Sequence, residues 1–367
     1  MKKLFLMLVS CAMLFSTASA KPKINYVDAQ TLTHLGKMCE TTNPYHRVEV
    51  SRYDELNKTE KNLLITAAGE FIAFETDATE IWLQAEYGRL SFNRAMPETA
   101  GAGFNLYMEK DGEWLWASSR VNKGGHDKNG VYNRSKPLRI AENLDGTMHR
   151  CLLYLPLFAE LTSLRIGVPE GYTLAPIENP FRHKIAIFGS SFTHGSGASC
   201  AGQTYPAFFS RSTGLYLCSF GMSGNSKLQR VMGEILAGTD AEAYICDAFS
   251  NPSIEQIDER IRPFLDEIRK VKPEAPVIFL RTIYREYRIF NTKAEEKEQT
   301  RIDHVNQLMK EICKEYQNVY FVDVADQTGT DHHTSADGVH PYSWGYFRWA
   351  QAIEKPVLKI LKKHGIK

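Results

Sequence analysis

The sequence predicts an α/β chain in which an antiparallel β-sandwich precedes a domain built on a five-stranded parallel sheet. Three observations carry this. From His183 onward, five short apolar runs alternate with longer helix-like ones, the pattern of parallel strands that each return through a helix. Before that point the runs are short, rich in aromatic and β-branched residues, and broken by turn residues without a sustained helical period. Pro176 and Pro180 mark the change of period, which places the sandwich at 21–180 and the α/β domain at 181–367.

Residues 1–20 are read as a secretory signal peptide. Lys2 and Lys3 precede a mostly apolar run from Leu4 to Phe15, and Ala18-Ser19-Ala20 is a small-residue cleavage site. The run is shorter than the ~20 residues a membrane span needs. In the lesser alternative, Leu8-Val9-Ser10-Cys11 acts as a lipobox and Cys11 carries lipid. The expected location is therefore the periplasm or the exterior, with no transmembrane segment in the mature chain.

In the sandwich, "GEFIAFETDATEIWLQAEYG" reads as alternating strands. "FNLYMEKDGEWLWASS" holds Asp111-Gly112 between two strand-like runs, a hairpin signal. "RCLLYLPLF" and "SLRIGVPEG" supply two more strands. In the second domain the strands "HKIAIFG", "LYLCSFG", "AEAYICDAF", "PVIFLRTI" and "VYFVDVAD" alternate with helical segments, the last running from about Ser343 to Lys363. Apolar runs without alternation are what a parallel sheet covered on both faces requires.

Composition narrows the function. Cleavage after Ala20 removes two of the 44 basic residues and none of the 43 acidic ones, which leaves a near-neutral chain. Such a chain lacks the basic excess that holds a nucleic-acid backbone, so nucleic acid is not expected as a partner. The six cysteines of the mature chain fit no zinc spacing, and most are expected to be free core residues, with Cys200 the most exposed.

Ligands in open α/β sheets bind beyond the carboxyl ends of the strands. Four loops occupy that edge: Gly189–Gly195, Gly221–Ser226, Asp247–Ser253 and Ala336–Pro341. The first lacks the lysine of a phosphate loop and the glycine spacing of a dinucleotide fingerprint. What remains is a hydroxyl at a strand-to-helix turn together with a distant Asp-x-x-His. A serine is a weak nucleophile until a base takes its proton. His340 can be that base, with Asp337 orienting the imidazole and offsetting its charge. The backbone N–H of Ser191, the N–H of Gly224 and the side-chain amide of Asn251 are candidate donors to an oxyanion.

These blocks, "GSS", "SGN", the Asn-Pro after the third strand and "DGVHP", together resemble the SGNH (GDSL-type) hydrolases over residues 183–365. The resemblance implies a flavodoxin-like three-layer α/β/α domain. It implies Ser191, Asp337 and His340 as catalytic residues, with Ser191, Gly224 and Asn251 as the oxyanion hole. No metal and no cofactor are needed. "GFNLYMEKDGEWLWA" and "YLPLFAELTSLRIGVPEG" resemble the β-domain with a GxDLY motif that precedes some bacterial SGNH domains, although Asn105 stands where that motif has Asp. The expected activity is that of a secreted serine esterase acting on a small-molecule or glycan ester, as a carbohydrate acetylesterase.

Rival readings attach to particular residues. Ser190 is the alternative nucleophile but more naturally caps or lines the turn. His194 departs from the more usual Gln and is a lesser candidate for touching substrate. Asn251 before Pro252 is also an ordinary turn signal. Asp331, His332 and His333 would make the chain a metal-dependent phosphoesterase, against the plainer reading of a polar loop at the rim. Trp82, Trp114 and Trp116 offer a sugar platform or a packed sheet face. Arg281, Arg285 and Arg288 line the cleft or form a solvated loop. The rival of another class is a carbohydrate-binding surface protein on a hydrolase fold that does not use its serine.

Overall fold

A computed structural model describes residues 22–91, 95–122, 124–126, 132–133 and 136–367. The expected signal peptide and Cys11 lie outside the described residues. No described helix is long and apolar enough to cross a membrane.

The N-terminal half is a sandwich of two antiparallel sheets. One sheet has the order Ile24–Asp28, Ala159–Pro169, Ile81–Leu90, Leu138–Ala141. The other has the order Leu174–Pro176, Phe71–Thr76, His149–Tyr154, Phe104–Lys110, Glu113–Arg120, with Thr33–Leu35 also paired to Phe71–Thr76. The Asp111-Gly112 hairpin forms as its sequence predicts: Lys110 pairs Glu113, and both turn residues have positive φ, 53° and 81°. Two successive positive φ values match the twist of the flanking strands.

The second sheet is apolar on both faces, and its alternation divides two cores. Ile72, Phe74, Leu106, Cys151 and Leu153 point into the sandwich. Phe71, Ala73, Tyr107, Leu152 and Tyr154 point the other way, into a core shared with the parallel sheet. That explains the near-continuous apolar run Cys151–Phe158 in an antiparallel strand and its exit, since both faces are buried.

The C-terminal half is a five-stranded, all-parallel sheet of order Leu215–Gly221, Arg182–Gly189, Ala243–Asp247, Val277–Leu280, Val319–Val322. This is the 2-1-3-4-5 order of the flavodoxin-like class, whose ligand crevice lies between the first and third strands. Those are the strands that end at Gly189 and Asp247. The main helices are Tyr205–Thr213, Arg230–Ala237, Ile254–Val271, Thr292–Glu315 and Ser343–Lys363. Thr204 caps Tyr205–Thr213, Ser253 with Gln256 forms a capping box on Ile254–Val271, and Asn291 caps Thr292–Glu315, so these three helices start where the sequence supplies a hydrogen-bonding side chain.

The six described cysteines are unpaired. Cys200 departs from expectation: it is buried, whereas Cys39 and Cys313 are half-buried. Its loop lies under the edge strand Glu113–Arg120, with Ser119 and Trp116 close to the thiol.

Candidate active site

The strand Ile185–Phe188 is wholly buried and ends at Gly189, where a Cβ would stand 2.1 Å from Thr193 Oγ1. Only glycine lets the chain turn so tightly there. Ser190 then caps a single helical turn, Ser191–His194, its Oγ accepting from Phe192 N–H at 3.1 Å. Gly195, at φ 98°, ends that turn. The turn holds Ser191 at the carboxyl edge of the sheet, 6% exposed.

Beneath it lies Asp247, a buried carboxylate whose Oδ2 accepts from Ser190 Oγ at 2.8 Å, Ser190 N–H at 3.3 Å and Thr193 Oγ1 at 3.2 Å. Burial pushes its pKa up to about 6, against these hydrogen bonds and the nearby Arg285. Asp247 was not singled out from sequence. An acidic residue that closes an otherwise apolar strand, in "AYICD", was the available signal.

Ser191 Oγ lies 2.8 Å from His340 Nε2, and His340 Nδ1 lies 2.8 Å from Asp337 Oδ2. Asp337 Oδ1 also accepts the backbone N–H of Val339 at 2.9 Å and of His340 at 2.7 Å. Partial burial pushes this carboxyl up, but its hydrogen bonds from His340 and Val339 outweigh that and hold it below the ordinary carboxylate range. An ionised carboxylate only accepts, so Nδ1 carries the proton and Nε2 is left with a lone pair for the serine hydroxyl. The arrangement can pass a proton from Ser191 to His340. The loop is pinned from several sides: Ser335 Oγ donates to His340 O at 2.8 Å, Tyr287 N–H donates to Gly338 O at 3.0 Å, and the Phe192 ring meets the imidazole edge-on.

The strand order puts the other two candidate loops on either side of Ser191. Gly224, at φ 71°, sits in an open turn with nothing within 4 Å of a Cβ position. Asn251 turns its Oδ1 to Ser226 N–H at 3.3 Å, which leaves the amide NH₂ to donate elsewhere. Among the described residues none accepts from the N–H of Ser191, the N–H of Gly224 or the amide of Asn251. The Asn251 loop is braced by Arg285 and Arg301, which donate to Ser250 O at 2.8 and 3.1 Å and share Glu298.

The structure places the residues of the rival readings as follows. Arg288 is 3% exposed and paired with Glu295, Arg281 pairs with Asp323, and Arg285 is part of the Asn251 brace, so these arginines form no solvated loop. His194 is fully buried, its ring stacked on Phe158 at 4.0 Å and its Nε2 2.8 Å from Leu157 O. Asp331 pairs with Arg348 and His332 with Glu286, and no group of three metal-ligating side chains is found among the described residues. Trp114 packs under Arg150 and Trp82 under Arg139, in different sheets, while Trp116 remains 52% exposed. Asn105 is buried, donating to Ser118 O and accepting from Gly202 N–H, a pairing that needs an amide rather than a carboxylate.

Comparison with known proteins follows the two halves. Residues 182–359 match the GDSL-like lipase/acylhydrolase family, and residues 24–174 match the GxDLY family, described as the N-terminus of SGNH-hydrolase-type esterases. A crystal structure from Bacteroides ovatus described as a GDSL-like lipase is 34% identical, with a TM-score of 0.87 over 93% of this chain and 98% of that one. A salicylyl-acyltransferase from a tetracycline biosynthetic pathway has a TM-score of 0.67 at 17% identity, covering 92% and 98%. A family two carbohydrate esterase from Clostridium thermocellum, solved with cellohexaose, has a TM-score of 0.56 at 14% identity, covering 82% and 94%. At those identities the last two share the fold. No curated protein matches the chain.

Proposed function

The chain belongs to the GDSL-like lipase/acylhydrolase family, and from that premise we propose that it is an exported serine esterase that removes acetyl groups from carbohydrate. One observation carries the mechanism: the unbroken hydrogen-bonded line from Ser191 Oγ through His340 to Asp337, at 2.8 Å and 2.8 Å.

His340 Nε2 takes the Ser191 proton as Oγ attacks the ester carbonyl, and Asp337 stabilises the imidazolium that forms. The tetrahedral oxyanion is met by the N–H of Ser191, the N–H of Gly224 and the amide of Asn251. The intermediate collapses to an acyl-serine, and the departing alcohol takes the proton from His340. Water then gives a proton to His340 and attacks the acyl carbon, which releases the acid and restores Ser191. His340 is the side chain that accepts and returns the proton in both half-reactions.

Carbohydrate as the alcohol component is supported by the fold shared with carbohydrate esterases and by exposed Trp116. Export is supported by the reading of residues 1–20. The test is hydrolysis of p-nitrophenyl acetate by the mature protein beside Ser191→Ala, followed by acetylated oligosaccharides. The substitution is expected to lower kcat by at least about 10³-fold. Equal activity in the two proteins would assign the chemistry elsewhere. Turnover of p-nitrophenyl acetate without release of acetate from any acetylated sugar would keep the esterase and remove the carbohydrate.

A further inference from the structure

The buried contact between the two halves ends at the loop that carries Gly224. Arg47, in the N-terminal half, is 1% exposed, and its hydrogen-bond partners are all neutral oxygens, with the buried Glu70 carboxylate acting on it at longer range. Its Nη1 donates to Ser219 O at 3.1 Å and Gly221 O at 3.0 Å, the last carbonyls of the strand before that loop. Its Nε donates to Thr66 O at 2.9 Å, and Nη2 donates to Thr66 Oγ1 at 3.1 Å and to Leu63 O. Thr66 Oγ1 lies 3.2 Å from His194 Nε2.

His194 completes the line. Its Nε2 is 2.8 Å from Leu157 O, which can only accept, so Nε2 carries a hydrogen. Its Nδ1 faces the N–H of Ser223 at 3.4 Å and must offer a lone pair. The imidazole is therefore held in one neutral tautomer. A second proton would set N–H against N–H, beside the Arg47 cation. Burial and Arg47 both keep the ring far below the ordinary histidine range. The loop's other ties include Met222 N–H to Gly189 O at 2.8 Å, Ser226 N–H to Asn251 Oδ1 at 3.3 Å, Gln229 Nε2 to Asn225 O at 2.6 Å, and Ser223 Oγ beside Ser196 Oγ at 3.4 Å. Gly224 has no side chain of its own to fix it.

We infer that the N-terminal half is a working part of the active site: Arg47 and His194 are positioning residues that hold the Met222–Ser226 loop so that the Gly224 N–H is aimed at the oxyanion. The inference rests on the serine-esterase reading. It assigns the sandwich a role in the chemical step that is separate from binding a sugar. Leu157, Phe158 and Thr66 hold the His194 ring from that half, and Arg47 holds the strand end at Gly221. Without them the Gly221 carbonyl loses a buried partner, and the ring that accepts from Ser223 N–H loses what fixes its tautomer and position.

The experiment compares His194→Leu, His194→Gln and Thr66→Val with wild type on p-nitrophenyl acetate, with thermal unfolding of each. Leucine fills much of the ring's volume and makes neither hydrogen bond. Glutamine offers one donor and one acceptor and can replace both. A misaimed oxyanion donor costs about 10²-fold in kcat, so His194→Leu is expected to fall by about that factor with KM little changed. His194→Gln is expected to recover most of the loss, and Thr66→Val to fall in the same direction by less. A lowered melting temperature with wild-type kcat would make the contact mere structural glue and overturn the inference. So would equal losses in the Leu and Gln variants. If His194→Leu does not fold, His194→Gln and Thr66→Val decide: wild-type KM with reduced kcat in Thr66→Val supports the inference, and unchanged kcat overturns it. An inert wild type, or a Ser191→Ala variant as active as wild type, overturns the esterase reading itself and this inference with it.

Discussion

Two carboxylates on either side of the serine-bearing turn, one reached through His340 and one through Ser190, carry opposite tasks, and their surroundings set the difference. Asp337 accepts from His340 Nδ1, His340 N–H and Val339 N–H, with Ser335 Oγ at 3.5 Å, and is kept ionised. Asp337→Asn keeps the turn's backbone acceptor but favours the wrong imidazole tautomer, and kcat on p-nitrophenyl acetate is expected to fall ~10³–10⁴-fold with little change in fold. Asp247 is sealed beneath Ser190, and burial raises its pKa from 3.8 to about 6. Because the folded value is the higher one, its contribution to stability is fully present below about pH 4 and is lost as pH rises through about 6. The rise corresponds to roughly 3 kcal/mol. Urea unfolding of wild type and Asp247→Asn across pH 4–7 should therefore show the variant gaining on wild type as pH increases. A constant offset would mean that Asp247 does not titrate there. Of these two residues only Asp337 was legible in the sequence, since Asp-x-x-His is a local motif. Asp247 is separated by 57 positions from its partner Ser190, and only the parallel pairing of Gly189 with Asp247 brings them together.

At the level of elements, the strand Leu215–Gly221 and the turn Ser191–His194 are fitted back to back. A Cβ on Gly221 would stand 2.3 Å from His194 N and 2.6 Å from its Cα, both backbone atoms that cannot swing aside. Gly221→Ala should push the serine-bearing turn away from His340. The expected cost in urea unfolding is about 1–3 kcal/mol or more, with kcat falling alongside. Unchanged kcat would show that the turn absorbs the displacement without moving Ser191. The strands and helices of the C-terminal half were legible because an apolar run followed by a helical period has few other solutions. Less legible was why Cys151–Phe158 is almost entirely apolar, because one of its two buried faces belongs to the other half of the molecule. The same hidden contact explains the misreading of Cys200. A Cys-Ala-Gly turn looks exposed until the edge strand carrying Trp116 and Ser119 is laid over it.

For the molecule as a whole, the change of sequence period at Pro176–Pro180 is not a break in packing. One core contains Val48, Phe71, Tyr154, Leu157 and Phe158 from the sandwich side together with Ile185, Phe192, Tyr205 and Leu217 from the parallel-sheet side. Arg47 inserts a buried charge across the same boundary and finds its acceptors on both sides. Its burial holds the guanidinium at about 10, still charged at neutral pH, so exposing or emptying this boundary is strongly unfavourable. The two halves are therefore expected to melt in one cooperative step, with calorimetric and van't Hoff enthalpies in agreement. For the same reason residues 181–367 expressed alone should lack a fixed tertiary structure, since Leu217 and the carbonyls of Ser219 and Gly221 would lose their cover. Two resolved calorimetric transitions, or a well-folded isolated C-terminal half, would show that the boundary is a docked interface instead of a shared core. In that case the loop bearing Gly224 would have to be held by the α/β half alone.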